Sequence, residues 1–275
     1  MSAGLLLFEE MTRDALSAIA ASALAVVPVG ATEQHGPHLP AGTDAMHAEH
    51  VARGAAARIA DRVPVVVTPT LAFGCSPHHL PFGATISLSA GTLARVLHDI
   101  GVSLAAAGFR RLFVVNGHGG NHELIQVAAR DMALQLSISV ACGSWWAIAR
   151  DTLVAAGAAQ DARLPGHAGG FETSLMLALR PGLVAEPRPH RDVSAMGDPL
   201  AFWSGTRVET PWAWQSIDGY TDSPARGTAE RGRRFLEAGM QAVAEAMLGF
   251  METTGPGGAA AAGQLPMAAR EEGPT

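Results

Sequence analysis

Glu33 and His35 lie two residues apart in the run Gly30-Ala-Thr-Glu33-Gln-His35-Gly-Pro-His38-Leu-Pro-Ala-Gly-Thr43-Asp44. In extended backbone that spacing turns both side chains to one side. Pro37, Pro40 and the flanking glycines then turn the chain, and Thr43 is placed to cap a helix that Asp44 opens. One loop therefore presents two carboxylates and an imidazole to a common point. Glu, Asp and His form the ligand set that suits zinc, manganese or iron(II), and Asp44 can bridge two ions with its two oxygens. A second run, Asn116-Gly117-His118-Gly119-Gly120-Asn121, puts glycines on either side of an imidazole, which allows a tight turn and leaves the ring open to a metal. A third, Gly166-His167-Ala168-Gly169-Gly170-Phe171-Glu172, can supply a last ligand from Glu172 and a proton-transfer group from His167. Ser76, His78 and His79, in the loop 74–83, and Gly119 are candidates to touch substrate. As lone histidines, His38, His50, His98, His122 and His190 read as solvated bystanders.

These residues need a scaffold, and the pattern supplies one. Apolar, β-branched runs at 24–30, 63–69, 111–117 and 137–143 read as buried strands. Between them, 43–60, 91–109 and 121–136 show apolar residues at three- and four-residue spacing with few breakers, as helices require. Alternating strands and helices predict an α/β fold with a mostly parallel sheet covered on both faces. In such a sheet ligands gather at the carboxyl ends of the strands, and three of the four predicted ends carry the runs above. The stretch 180–226, rich in Pro, Gly and Trp, reads as an irregular functional excursion. A last helix is expected over about 227–250, and a single domain over 1–253. The Gly-, Ala- and Pro-biased segment 254–275 reads as a disordered tail.

Composition narrows the partners. The formal charge is −6, and 19 basic residues spread along the chain form no stripe, so no nucleic-acid partner is expected. Cys75 and Cys142 are far apart and build no disulfide framework, which fits a reducing, cytoplasmic setting. The amino-terminal apolar run lacks a basic start and does not read as a signal peptide. No window supplies about 18 uninterrupted apolar residues for a membrane span. The expected partner is a small-molecule substrate.

From about Val26 to Pro181 the motifs TEQHGPHLP, NGHGGN and HAGGFETSLMLALRP, in this order, resemble the creatininase (creatinine amidohydrolase) family. The resemblance implies a three-layer α/β/α fold, a homo-oligomer (usually a hexamer) and two divalent metal ions per chain, zinc first, with manganese or iron as alternatives. It also implies a metal-bound hydroxide that opens an amide. By position, Glu33, Asp44 and His118 match ligands of one ion, His35 and Asp44 ligands of the other, and His167 the active-site histidine. Trp146 matches one pocket tryptophan. Two departures argue against creatinine itself: Gly120 stands where creatinine-hydrolysing members carry a glutamate, and Arg163 where they carry a stacking tryptophan. Glu172 is expected to replace the ligand missing at Gly120. The implied activity is a binuclear amidohydrolase acting on the C–N bond of a small, cyclic substrate. A terminal peptide bond, a formamide and a cyclic ketone are the alternative targets, and a metal-binding scaffold without catalysis is the alternative outside enzymes.

Overall fold

The structure is a computed structural model and describes residues 5–160, 164–191, 208 and 210–255. Five strands, β1 (Leu6–Leu7), β2 (Leu24–Val29), β3 (Val65–Val67), β4 (Arg111–Asn116) and β5 (Ser139–Ser144), pair in parallel in the order β1-β3-β2-β4-β5. Nine helices accompany them among the described residues. They are α1 (Arg13–Ile19), α2 (Thr43–Ile59), α3 (Ala90–Ala106), α4 (His122–Leu136), α5 (Trp145–Ile148), α6 (Arg150–Ala155), α7 (Gly170–Leu179), α8 (Ala213–Ser216) and α9 (Ala229–Thr254). The expected α/β/α architecture with a parallel sheet is the one present.

Alternation along the strands divides the apolar side chains between two cores. Leu24, Val26, Val65, Val67, Phe113 and Val115 face α2, α7 and α9, where Val51, Ile59, Phe171, Phe235 and Met247 meet them. Ala25, Val27, Val66, Leu112 and Val114 face the opposite layer, with Leu16 of α1, Leu93 and Leu97 of α3, and Ile125 and Met132 of α4. Both faces are therefore covered, as parallel sheets require. Ser89 and Thr228 cap α3 and α9, their side chains accepting from the backbone N–H groups of Thr92 and Arg231.

Three details differ from the sequence reading. β1, only two residues long, was not expected; it adds an edge beside β3. Thr43 is the first residue of α2 and does not cap it: its hydroxyl donates instead to the Pro40 carbonyl at 2.7 Å. The last helix runs on to Thr254, and the rest of the expected tail, 256–275, lies outside the described residues, as does Arg163.

The topology creates the site. After β2 the chain moves to β3 on one side, and after β3 it crosses to β4 on the other, so the strand order reverses around β2 and opens a crevice at its carboxyl end. The first turn of α2 sits over that crevice because two strand-end glycines let it. A Cβ on Gly30 would lie 2.5 Å from Ala45 backbone, and one on Gly117 2.5 Å from the Asp44 carbonyl oxygen. Asp44 is thereby held between the ends of β2 and β4.

Candidate metal centre

Six of the residues singled out in the sequence converge at this crevice: Glu33, His35, Asp44, His118, His167 and Glu172, all buried. Glu33 and His35 come from the loop after β2, Asp44 from α2, and His118 from the loop after β4. The asparagines flanking that loop hold it. Asn116 Nδ2 donates to the His118 carbonyl at 2.6 Å, while Asn121 Nδ2 donates to the Gly30 carbonyl at 3.0 Å and its Oδ1 accepts from Cys75 N–H at 2.9 Å. Three loops are thus tied together behind the ligands. His167 and Glu172 flank the start of α7, with Ala168 between them in the left-handed region, φ 49°, a strained conformation for a residue with a Cβ. Glu172 accepts from Ala168 N–H and so faces back into the crevice.

Hydrogen bonds fix which ring nitrogen faces the centre, because a backbone carbonyl can only accept. His35 Nδ1 lies 3.0 Å from the Glu33 carbonyl oxygen, so Nε2 turns to Asp44 Oδ1 at 3.1 Å and Glu172 Oε2 at 3.8 Å. His118 Nε2 lies 3.1 Å from the Cys75 carbonyl oxygen, so Nδ1 turns to Asp44 Oδ2 at 3.0 Å and Glu33 Oε1 at 3.3 Å. His167 Nε2 lies 2.9 Å from the Gln34 carbonyl oxygen, and its Nδ1 faces Glu33 Oε1 at 3.5 Å. Meanwhile both Glu33 carboxylate oxygens and Asp44 Oδ2 are buried and accept no hydrogen bond. In a dry interior these nitrogens and carboxylate oxygens need a cation between them, or a further proton on the imidazoles. The donor set fits divalent ions: Glu33, His35 and Asp44 offer atoms within 4.8 Å of one another, as do His35, His167 and Glu172.

Electrostatics point the same way. Burial raises the Asp44 and Glu33 carboxyls, but the neighbouring histidines outweigh it and hold both below the usual carboxylate range. Glu172 is different: burial, with Asp44 and Glu33 nearby, pushes it up to about 8 against the pull of His35. His167 was expected to titrate near neutrality. In the ion-free protein burial and then His35 lower it to about 3, so the ring is neutral there.

The remaining candidates lie around this cluster. Ser76 is buried with its hydroxyl 3.2 Å from His118 Nε2, and the His78 ring stacks at 6.1 Å on that of His118. His79 is more central than His78, fully buried and stacked on His167 at 4.2 Å. Gly119 is exposed, and a Cβ there would meet nothing. Gly120 has no such room: a Cβ would collide with the Cys75 carbonyl oxygen and lie 2.5 Å from His118 Nε2. The Trp146 ring packs on Trp145 at 6.0 Å. A tryptophan the sequence did not single out, Trp214 of α8, packs on His78, His79 and His167 at 5.5, 4.6 and 5.2 Å. Of the supposed bystanders, His38 is buried and bonds Thr173 Oγ1 at 2.8 Å, a structural role rather than a solvated one.

The family model Creatininase, described as creatinine amidohydrolase, matches residues 9–247. A mycofactocin precursor peptide peptidase of Mycobacterium tuberculosis is 35% identical over 222 residues, covering 78% of this chain and 80% of the relative. A creatinine amidohydrolase of Pseudomonas putida is 31% identical, covering 81% and 87%. The crystal structure of creatinine amidohydrolase (creatininase) superposes with a TM-score of 0.73 at 30% identity, over 88% of this chain and 96% of that one. A mutant creatininase of Zn-Zn type and a manganese creatininase each superpose with a TM-score of 0.70 over 88% of this chain and 97% of the other, at 30% and 31% identity.

Proposed function

Since the chain belongs to the creatininase family of hydrolases acting on carbon–nitrogen bonds, we propose that it is a binuclear metal-dependent amidohydrolase. Glu33, Asp44 and His118 would hold one ion, and His35, Asp44 and Glu172 would hold the other. The observation that supports this most is that His118 and His167 turn Nδ1 to buried Glu33 and Asp44 oxygens that accept no hydrogen bond. The Zn-Zn and manganese forms of creatininase favour zinc or manganese. Glu172 stands in for the carboxylate that Gly120 cannot carry, since the space beside Gly120 is filled by His118 and Cys75.

Once bound, the ions would supply Lewis acidity for the amide carbonyl and lower the pKa of water toward about 7. Around them the side chains divide the proton work. His167, neutral and with Nδ1 facing the centre, takes a proton from the attacking water and passes it to the departing nitrogen. Trp214 makes edge contacts with His79 and His167 and adds an apolar ring beside them.

The substrate is a compact amide. A small cyclic amide is the first reading. A short peptide is the second, favoured by the peptidase relatives at 35% and 36% identity against 31% for the creatinine amidohydrolase. Creatinine is expected to be turned over poorly, because a pocket with altered transition-state contacts loses kcat and not only affinity. The test is a parallel assay of zinc- or manganese-loaded protein with creatinine, other cyclic amides and short peptides. We expect amide cleavage in one of the last two classes, with creatinine on the order of 100-fold slower. Robust creatinine turnover would overturn the substrate assignment, and no cleavage of any amide by fully loaded protein would overturn the activity.

A further inference from the structure

Gln34 lies between two proposed metal-ligand positions, yet its amide bonds Gly36, Gly219 and His79 and neither Glu33 nor His35. Its Oε1 accepts from Gly36 N–H at 2.8 Å, which fixes the orientation of the amide. The amide nitrogen then donates to the Gly219 carbonyl at 2.9 Å and to His79 Nδ1 at 2.8 Å. An amide nitrogen can only donate, so His79 Nδ1 must be the unprotonated nitrogen and Nε2 must carry the hydrogen. His167 has the complementary arrangement, because Gln34 places its own backbone carbonyl 2.9 Å from His167 Nε2. The 3.2 Å approach of Gln34 Nε2 to His167 Nε2 is therefore donor against donor, a close contact and not a bond. The two rings stack at 4.2 Å, and both turn a nitrogen toward Glu33 Oε1 at 3.5 Å.

We propose that Gln34 is a positioning residue that locks His79 and His167 both as Nε2–H tautomers but in opposite orientations, so that one carboxylate oxygen of the centre faces an N–H on His79 and a lone pair on His167. The consequence for catalysis, which rests on the amidohydrolase reading, is twofold. His167 keeps its lone pair for the proton of the attacking water. His79 cannot compete for that proton, and its N–H faces Glu33 Oε1 at 3.5 Å. There is also a consequence for ion binding. Glu33, His79 and His167 offer atoms within 4.8 Å of one another, a geometry that could take a cation of its own. The hydrogen on His79 Nε2 closes that option and keeps Glu33 for its proper ion.

The test uses ¹⁵N-imidazole NMR on the full chain loaded with zinc, together with elemental analysis and steady-state kinetics. The unmodified protein should show His79 as the Nε2–H tautomer and His167 also as Nε2–H, with its Nδ1 free. Gln34→Leu removes the donor, and Gln34→Glu replaces it with an acceptor. In Gln34→Glu the His79 signal should switch to Nδ1–H, and in Gln34→Leu it should become a mixture. In both, kcat should fall on the order of 100-fold, as for loss of acid–base positioning, while KM changes by less than about threefold. His79 found as Nδ1–H or doubly protonated in the unmodified protein would overturn the proposal, whether or not either variant folds. So would a Gln34→Leu protein with unchanged tautomers and kcat. Because tautomer and ion content are read without activity, failure of the amidohydrolase reading would appear separately, as correct tautomers without amide cleavage.

Discussion

Stripped of ions by a chelator, the centre must balance its carboxylates with protons. Burial opposes a charge on His35, but Asp44 outweighs it, with Glu172 and Glu33 adding to it, and the imidazole is pushed up to about 10. Glu33 and Asp44 drive His118 upward in the same way against its burial. With Glu172 raised to about 8, three ligands hold protons at pH 7.5 that a cation has to displace. Zinc added to stripped protein at pH 7.5 should therefore release on the order of two to three protons per chain, measured with an indicator dye or from calorimetry in buffers of different ionisation enthalpy. Binding without proton release would contradict this. The sign of the stability effect follows from the same shift. A histidine raised from 6.5 to about 10 stabilises the fold fully below pH 6.5 and loses that contribution as pH rises toward 10. Melts of the stripped protein should fall across that window, and saturating zinc should remove the fall.

The helices carry these residues, and their positions depend on close backbone approach. α7, which bears Glu172, packs on α9 at Gly232, where a Cβ would collide with the Ser174 carbonyl and lie 2.9 Å from Ala178 Cβ. Gly232→Ala should cost about 1–3 kcal/mol through overpacking and weaken metal binding by shifting α7. Gly249→Ala in the same helix, where an added Cβ meets nothing, should be neutral or stabilise by up to about 1 kcal/mol. Chemical denaturation of both variants checks this, and equal effects would refute the role of the α7–α9 contact. Element by element, the four main strands and the long helices were legible because each buries a regular apolar pattern. β1 was not, since Leu6 and Leu7 are too few to show a period. At the site, Glu33, His35, Asp44 and His118 were legible from type and spacing at strand ends. Trp214 was not: it reaches the histidines through packing of α8 on the turn at Pro77–Phe82, a long-range contact with no local signal. Gln34 read only as a spacer between ligands, because a tautomer lock depends on the distant partners His79, His167 and Gly219.

Across the whole molecule, no helix among the described residues is long and apolar enough to cross a membrane. Phe73, Leu80, Ile86 and Trp212 nonetheless expose 43, 52, 56 and 59% of their surface. The first three belong to the connection from β3 to α3, and Trp212 directly precedes α8, so they sit on segments that border the site. By the family resemblance we predict a homo-oligomer, a hexamer, which would cover apolar surface of this kind if it is contiguous. Light scattering should give a mass that is a multiple of 28.4 kDa, and a monomer at micromolar concentration would count against it. The proposed metal centre sits at the carboxyl ends of β2 and β4, where the topology gathers its residues. Its most direct test is the metal content of folded, unchelated protein measured beside its Glu172→Gln and Asp44→Ala variants. With catalytic ions normally held by three protein ligands, we predict about two transition-metal ions per chain, about one in Glu172→Gln and almost none in Asp44→Ala. A folded, unchelated protein without metal, or a Glu172→Gln protein that keeps both ions, would contradict it.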